Sequence, residues 1–283
     1  MATTGTALDA DWLSLCRRSV EGAAEVLAAT PSTVERARET GTRGSGGDRT
    51  LEIDSSAESV VFAQLQALYD QGHRFSAISE ERGEVDFGGG GVRVIIDPID
   101  GSLNAKRDAC HYALSVAVAD GPTMADVAFG FVHDFGAREQ WWARRGEGAW
   151  RDGVPLDPTL PERRSHDGRL ELLGIESSDP RWVAAAIEPL TVATRRLRAL
   201  GTIASTLCQV AAARFDAMVT LQPCRGVDAA AGQLIVREAG GYISFADLDD
   251  PLDAPLDATP SSRLVAARAE DTLRELEAVR ARP

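Results

Sequence analysis

Lysine is almost missing from this 283-residue chain: Lys106 is the only one, and arginine supplies the rest of the 30 basic residues. The bias reflects genome composition rather than chemistry. Against 43 acidic residues, the basic ones leave a formal net charge of −13. A chain so acidic repels phosphate backbones and anionic membranes, so neither nucleic-acid binding nor membrane binding is expected as its main task. Cysteine is scarce too. Cys16, Cys110, Cys208 and Cys224 lie far apart and form no CxxC pair, which excludes a zinc knuckle and a disulfide framework. No apolar run approaches the ~20 residues of a membrane span. The first residues lack the basic stretch and apolar core of an export signal, and a soluble cytoplasmic protein is expected.

What the chain does have is ordinary globular material, 44% hydrophobic and 26% charged, long enough for one large domain or two intimately packed lobes. Periodicity predicts helices over 9–29 and 55–70, with a mobile Gly/Ser/Thr-rich loop at 40–49 and a short strand at 51–53 between them. Strands are expected at 74–79 and 92–96, with the four glycines 88–91 as a loop tip or hairpin turn. Strict alternation marks a strand at 112–119, and antiparallel partners follow at 124–133 and 140–150. The polar stretch 155–168 divides an N-terminal lobe, 1–155, from a C-terminal lobe, 156–283, the two forming one compact catalytic unit. In the second lobe strands are expected at 170–174, 195–200, 217–221, 242–245 and 264–267. Helices at 179–190, 204–213 and 228–239 alternate with them, and Asp271 caps a last helix. Antiparallel strands followed by alternating elements predict a layered α/β (α+β) sandwich.

The most informative segment runs from Val94 to Asn104. A buried apolar strand ends in two carboxylates, Asp97 and Asp100, followed by Gly101 and Ser102. Carboxylates at the end of a buried strand are costly unless cations or hydrogen bonds compensate them. Backbone N–H groups at a helix start suit an anion. Together they suggest a divalent cation acting on a phosphate. Asp54, Glu80 and Asp228 share the same context at strand ends or helix starts. Each alone has a plainer explanation: Asp54 or Asp228 as a helix cap, Glu80 with Glu81 as a solvated pair, Asp97-Pro98 as a turn.

The octapeptide Asp97-Pro98-Ile99-Asp100-Gly101-Ser102-Leu103-Asn104 resembles the first signature of the inositol monophosphatase family. Asp228-Ala229-Ala230-Ala231-Gly232, followed by Glu238-Ala239-Gly240-Gly241, is similar to the second. Ser79-Glu80-Glu81 and Gly146-Glu147-Gly148-Ala149-Trp150 also match in order and interval. The resemblance implies the αβαβα sugar-phosphatase fold and Mg²⁺, two or three ions per site. Glu80, Asp97 and the Ile99 carbonyl would hold the first ion; Asp97, Asp100 and Asp228 would hold the second. Asp54 and Ser102 would orient and deprotonate the attacking water with Glu80 at the first ion, and Gly101 and Ser102 would bind phosphate through their backbone. Gly201, Thr202 and Ile203 would face the leaving alcohol with Asp100 and Asp228, although Thr202 reads equally well as a helix cap. A small phosphorylated metabolite as substrate, inhibition by Li⁺ and a homodimer are further expectations carried by the resemblance.

The chain also departs from the family pattern. An acidic residue common before the second signature is replaced at Thr220, and Val227 stands where a Trp is usual. The segment 105–111 is unlike its counterpart. Inositol monophosphate is the first substrate expected, with fructose 1,6-bisphosphate, histidinol phosphate and 3′-phosphoadenosine nucleotides as alternatives, and a non-catalytic metal-binding homologue as a reading of another class. Lys106, Arg107 and Arg225 are candidates for a second phosphate. His111 is the only histidine near a signature, and its role stays open.

Overall fold

A computed structural model describes residues 6–45, 47, 49–246 and 248–279. Its architecture follows from strands that are apolar on both faces and therefore need cover on both. In Ala113–Ala119, Leu114, Val116 and Val118 pack to one side with Trp12, Leu15, Val61, Phe62 and Leu65. Ala113, Ala117 and Ala119 pack to the other side with Ala204, Leu207, Ala230 and Leu234. The seven-stranded sheet that contains them is thus sandwiched between two helical layers. Strands Phe75–Ser79, Gly83–Asp100, Ala113–Ala119, Val127–Asp134, Glu139–Arg144, Gly148–Arg151 and Val154–Pro155 lie in that order.

The outer helical layer comprises Trp12–Ala29 and Glu52–Asp70. Asp11 caps the first by accepting from Ser14 N at 3.1 Å. The two cross closely at Gly22, where a Cβ would stand 2.6 Å from Val60 Cγ1. The inner layer comprises Ile203–Ala211 and Gly226–Glu238, both almost wholly buried because a second sheet covers them. That sheet has five strands, in the order Leu197–Arg198, Leu173–Glu176, Ala217–Thr220, Leu264–Ala267 and Tyr242–Phe245. Met218 and Ala266 face the inner helices, while Val219 and Val265 face Leu190, Leu273 and Leu276. These last belong to helices Ile187–Ala193 and Glu270–Glu277 on the far side. The five layers are α, β, α, β, α. Among the described residues no helix is long and apolar enough to cross a membrane.

Several elements differ from expectation. The stretch read as a mobile loop forms the antiparallel strands Glu39–Arg43 and Arg49–Leu51. The next helix starts at Glu52, so Asp54 lies inside its first turn and is not its cap. Arg225, not Asp228, occupies the cap position of Gly226–Glu238, and Ala269, not Asp271, that of the last helix. The expected helix at 179–190 is two, Pro180–Ala185 and Ile187–Ala193. The glycines 88–91 do reverse the chain, but not as a hairpin between neighbours. Ser76 pairs with both Asp86 and Arg93, so the long strand wraps around Phe75–Ser79. All four glycines have positive φ, and at Gly90 a Cβ would lie 2.8 Å from the Arg74 carbonyl.

Candidate active site

Four chain segments bring their ends to one cavity of about 580 Å³. The first turn of Glu52–Asp70 contributes Asp54, and Glu80 follows directly on Phe75–Ser79. Asp97, Ile99 and Asp100 end the long strand, and Gly101 and Ser102 open the short helix Ser102–Arg107. Gly201, Thr202 and Ile203 form the start of Ile203–Ala211. Asp228 does not line the cavity, but Arg225, which does, donates to its carboxylate. Apart from Asp228, every candidate site residue therefore lines one cavity. His111 and Arg107 are not part of the lining.

Gly101 shows why the turn must be glycine. Its φ is +93°, and a Cβ would lie 3.0 Å from the Gly201 carbonyl. The two loops touch there, and Asn104 locks them: its Nδ2 donates to the carbonyls of His111 at 2.7 Å and Leu200 at 2.6 Å. Thr202 caps its helix and also holds Asp100. Its Oγ1 accepts from Ser205 N as a helix cap and donates to Asp100 Oδ2 at 2.6 Å. Ala204 N donates to the same oxygen at 2.6 Å, so one face of Asp100 is fixed.

The charges are the unusual part. Asp97 is fully buried; Oδ1 accepts from Ile99 N at 3.0 Å, while Oδ2 has no hydrogen-bond partner. Burial, with Glu80, Asp100 and Asp228 nearby, pushes its carboxyl well above the usual carboxylate range. Burial and Asp228 do the same to Asp100, and burial with Glu81 and Glu80 to Asp54, whose Oδ1 is also unpartnered. Glu80 is pushed up to about 7 by burial, against the pull of Arg225. Buried oxygens left without a donor are costly. A cluster that raises its own pKa values in this way is what a hard cation would relieve.

One cation is already built in. Arg225 donates from Nη1 to Glu80 Oε1 and from Nε to Asp228 Oδ1 at 3.1 Å and Oδ2 at 3.2 Å. Burial opposes its charge, but Asp228, Glu80 and Asp97 outweigh that and keep the guanidinium protonated. Among the described residues no group of three or more His, Cys, Asp or Glu is arranged to hold a metal ion as it stands. The donor chemistry nevertheless fits one: oxygen only, anionic, buried and incompletely satisfied.

The sequence reading missed Glu176, the last residue of Leu173–Glu176, because the strand was ended two residues early. Glu176 lines the cavity and is pushed up to about 7 by burial. It accepts from Thr206 Oγ1 at 2.6 Å, Leu200 N at 3.1 Å and Gly201 N, and so clamps the loop that carries Thr202. Its cross-strand partner is Thr220. Thr220 itself is buried, does not line the cavity and accepts from Leu264 N at 2.8 Å. His111, left open above, donates to or accepts from Asp134 Oδ2 at 2.9 Å, where Ser205 Oγ also binds, and thus serves the scaffold.

Residues 11–281 match the sequence model of the inositol monophosphatase family. The chain belongs to that family. It is 31% identical over 235 residues to the fructose-1,6-bisphosphatase/inositol-1-monophosphatase of Methanothermobacter thermautotrophicus, covering 79% of this chain and 80% of that protein. It is equally similar, 31% over 239 residues, to Nus factor SuhB of Escherichia coli K12, covering 82% and 84%. The fold is similar to the crystal structure of an inositol monophosphatase–fructose 1,6-bisphosphatase gene product at a TM-score of 0.80, 24% identity and coverage of 95% and 100%. Thermotoga maritima IMPase follows at a TM-score of 0.71, 25% identity and coverage of 95% and 98%. This inositol monophosphatase-family chain is a phosphoric monoester hydrolase with the layered fold of its relatives.

Proposed function

We propose that this protein hydrolyses the phosphate monoester of a small polyol or sugar with the help of Mg²⁺, inositol monophosphate being the first candidate. The observation that carries the reading is Asp97, fully buried, with Oδ2 unpartnered among Glu80, Asp100 and Asp228. Glu80, Asp97 and the Ile99 carbonyl would hold one ion, and Asp97, Asp100 and Asp228 another. Bound there, Mg²⁺ supplies Lewis-acid chemistry, neutralising charge on the phosphate and easing ionisation of a water.

The chain's own residues do the rest. Gly101 and Ser102, at the entrance to a helix, place backbone N–H groups beside the phosphate. Asp54, with one oxygen free of protein donors and Ser102 beside it, takes the proton of the attacking water. The water oxygen bonds to phosphorus, the ester P–O bond breaks opposite to it, and the leaving oxygen takes a proton from solvent water to depart as the alcohol. Thr202 and Ala204 fix Asp100, and Glu176 fixes the loop on the alcohol side.

A second substrate, fructose 1,6-bisphosphate, is favoured by one specific feature. Lys106 lines the cavity, and among the described residues no hydrogen bond or ion pair engages its ammonium. That leaves it to a second phosphate. Phosphate release measured over a panel of sugar and polyol phosphates tests both readings. Lys106→Ala is expected to lower kcat/KM for the bisphosphate about tenfold or more and to spare a monophosphate. An equal loss on both assigns Lys106 no second-phosphate role, and no release from any member of the panel refutes the phosphatase reading.

A further inference from the structure

We infer that Arg225 is a resident counter-cation that competes with divalent metal for the carboxylate cluster, setting the metal affinity of this site low and its metal-free form stable. The inference rests on the metal reading proposed above. Arg225 is the side chain that ties the two halves of the cluster together. It bonds Glu80, from the end of Phe75–Ser79, and Asp228, from the first turn of Gly226–Glu238, which lie 148 residues apart in sequence. Both are residues that would ligate metal, one at each ion position. Asp228 has both carboxylate oxygens on the Arg225 Nε, and Glu80 has Oε1 on Nη1.

An ion entering the cluster must therefore share or displace these bonds and must also sit near a guanidinium. Repulsion between two cations at such range is strong when the site is buried, and Arg225 is only 18% exposed at its side chain. The arginine is also anchored for this place. It is the cap residue of its helix, and Gly226 after it admits no side chain: a Cβ there would meet the Pro255 carbonyl at 2.5 Å. The guanidinium thus enters the cluster from a backbone position that cannot drift. In the metal-free protein it offsets part of the repulsion among Glu80, Asp97, Asp100 and Asp228, which would otherwise be uncompensated.

Two measurements on the full chain test this, and neither depends on turnover. Mn²⁺ binding by titration calorimetry is compared for wild type, Arg225→Gln and Arg225→Lys, and the melting temperature of each is recorded in EDTA. Removing the charge is expected to tighten Mn²⁺ binding about 10- to 100-fold, the range over which groups around a metal tune its affinity. In EDTA, Arg225→Gln is expected to melt below wild type, and Mn²⁺ is expected to raise its melting temperature more than it raises that of wild type. Arg225→Lys keeps the charge and is expected to stay within a fewfold of wild-type affinity, which separates charge from packing. Equal or weaker Mn²⁺ binding by Arg225→Gln, with Arg225→Lys folded and binding normally, overturns the role assigned to Arg225 and leaves the metal reading standing. No Mn²⁺ uptake by any of the three proteins overturns the metal reading and this inference with it.

Discussion

Glu176 lends itself to a direct pH test. Its carboxyl ordinarily titrates near 4.5 and is pushed up to about 7 by burial, despite the hydrogen bonds from Thr206, Leu200 and Gly201. The folded state therefore holds this proton more tightly than the unfolded chain does. Its contribution to stability is present below about pH 4.5 and is lost as pH rises to about 7. Asp167 and Asp179, held down by their bonds to Arg169 and Arg181, act in the opposite sense, but only below their ordinary 3.8. Melting temperature in EDTA is expected to fall between pH 4.5 and 7, and to fall less in Glu176→Gln; the same slope in both proteins would exclude Glu176 as a source. At this scale most of the site was legible. Asp97, Asp100, Glu80 and Asp228 stand where a buried element ends in a charge, and that pattern is visible in one dimension. Glu176 carries the same mark but was lost to a strand boundary. The bond between Arg225 and Glu80 spans 145 residues, and no local pattern encodes it.

Elements are set by different forces, and two glycines separate them. Gly101 makes the left-handed turn between strand and helix at the cavity. Ala there would adopt φ near +93° at a cost of roughly 1–2 kcal/mol and push against the Gly201 carbonyl. Gly130, in Val127–Asp134, does not line the cavity, and a Cβ there would be 2.7 Å from the Ala231 carbonyl. Gly130→Ala is expected to cost about 1–3 kcal/mol through overpacking. By chemical denaturation both variants should lose stability. Gly101→Ala should in addition lose activity at temperatures where it is fully folded; full activity there would mean that the turn does not position phosphate. Long amphipathic helices and alternating strands were readable because burial imposes their period. The pair Glu39–Arg43 and Arg49–Leu51 was not, since all five residues of its first strand are exposed and no apolar alternation marks it. The short helices 180–185 and 187–193 merged in the sequence reading because Ala186 does nothing to interrupt helical periodicity.

At the scale of the whole molecule, the inner helices Ile203–Ala211 and Gly226–Glu238 serve both sheets at once. Leu207, Leu234 and their neighbours pack with Ala117 and Trp141 of one sheet and with Met218 and Ala266 of the other. The starts of these helices carry Thr202 and Asp228, so the core that joins the sheets also positions the site. Ion binding to the cluster should therefore stabilise the entire fold. Saturating Mg²⁺ at 100 times its Kd corresponds to about 2.7 kcal/mol, a rise of roughly 5 °C for a chain of this size. Scanning fluorimetry should show that rise in wild type and not in Asp97→Asn. An equal rise in both would place the ion elsewhere. The five-layer order could be anticipated from the alternation of elements and from the signatures. The wrapping of Gly83–Asp100 around Phe75–Ser79 could not, because it depends on the path of four glycines that leave no periodic trace.

The proposed Mg²⁺-dependent phosphatase activity rests on the buried carboxylates around Asp97. The measurement closest to it is phosphate release from inositol monophosphate and fructose 1,6-bisphosphate as a function of Mg²⁺, for wild type and Asp97→Asn. The expected result is release by wild type that rises with Mg²⁺ and vanishes in EDTA, and a rate at least about 100-fold lower in Asp97→Asn at any Mg²⁺ concentration. Full activity in Asp97→Asn, or undiminished release by wild type in EDTA, would contradict it.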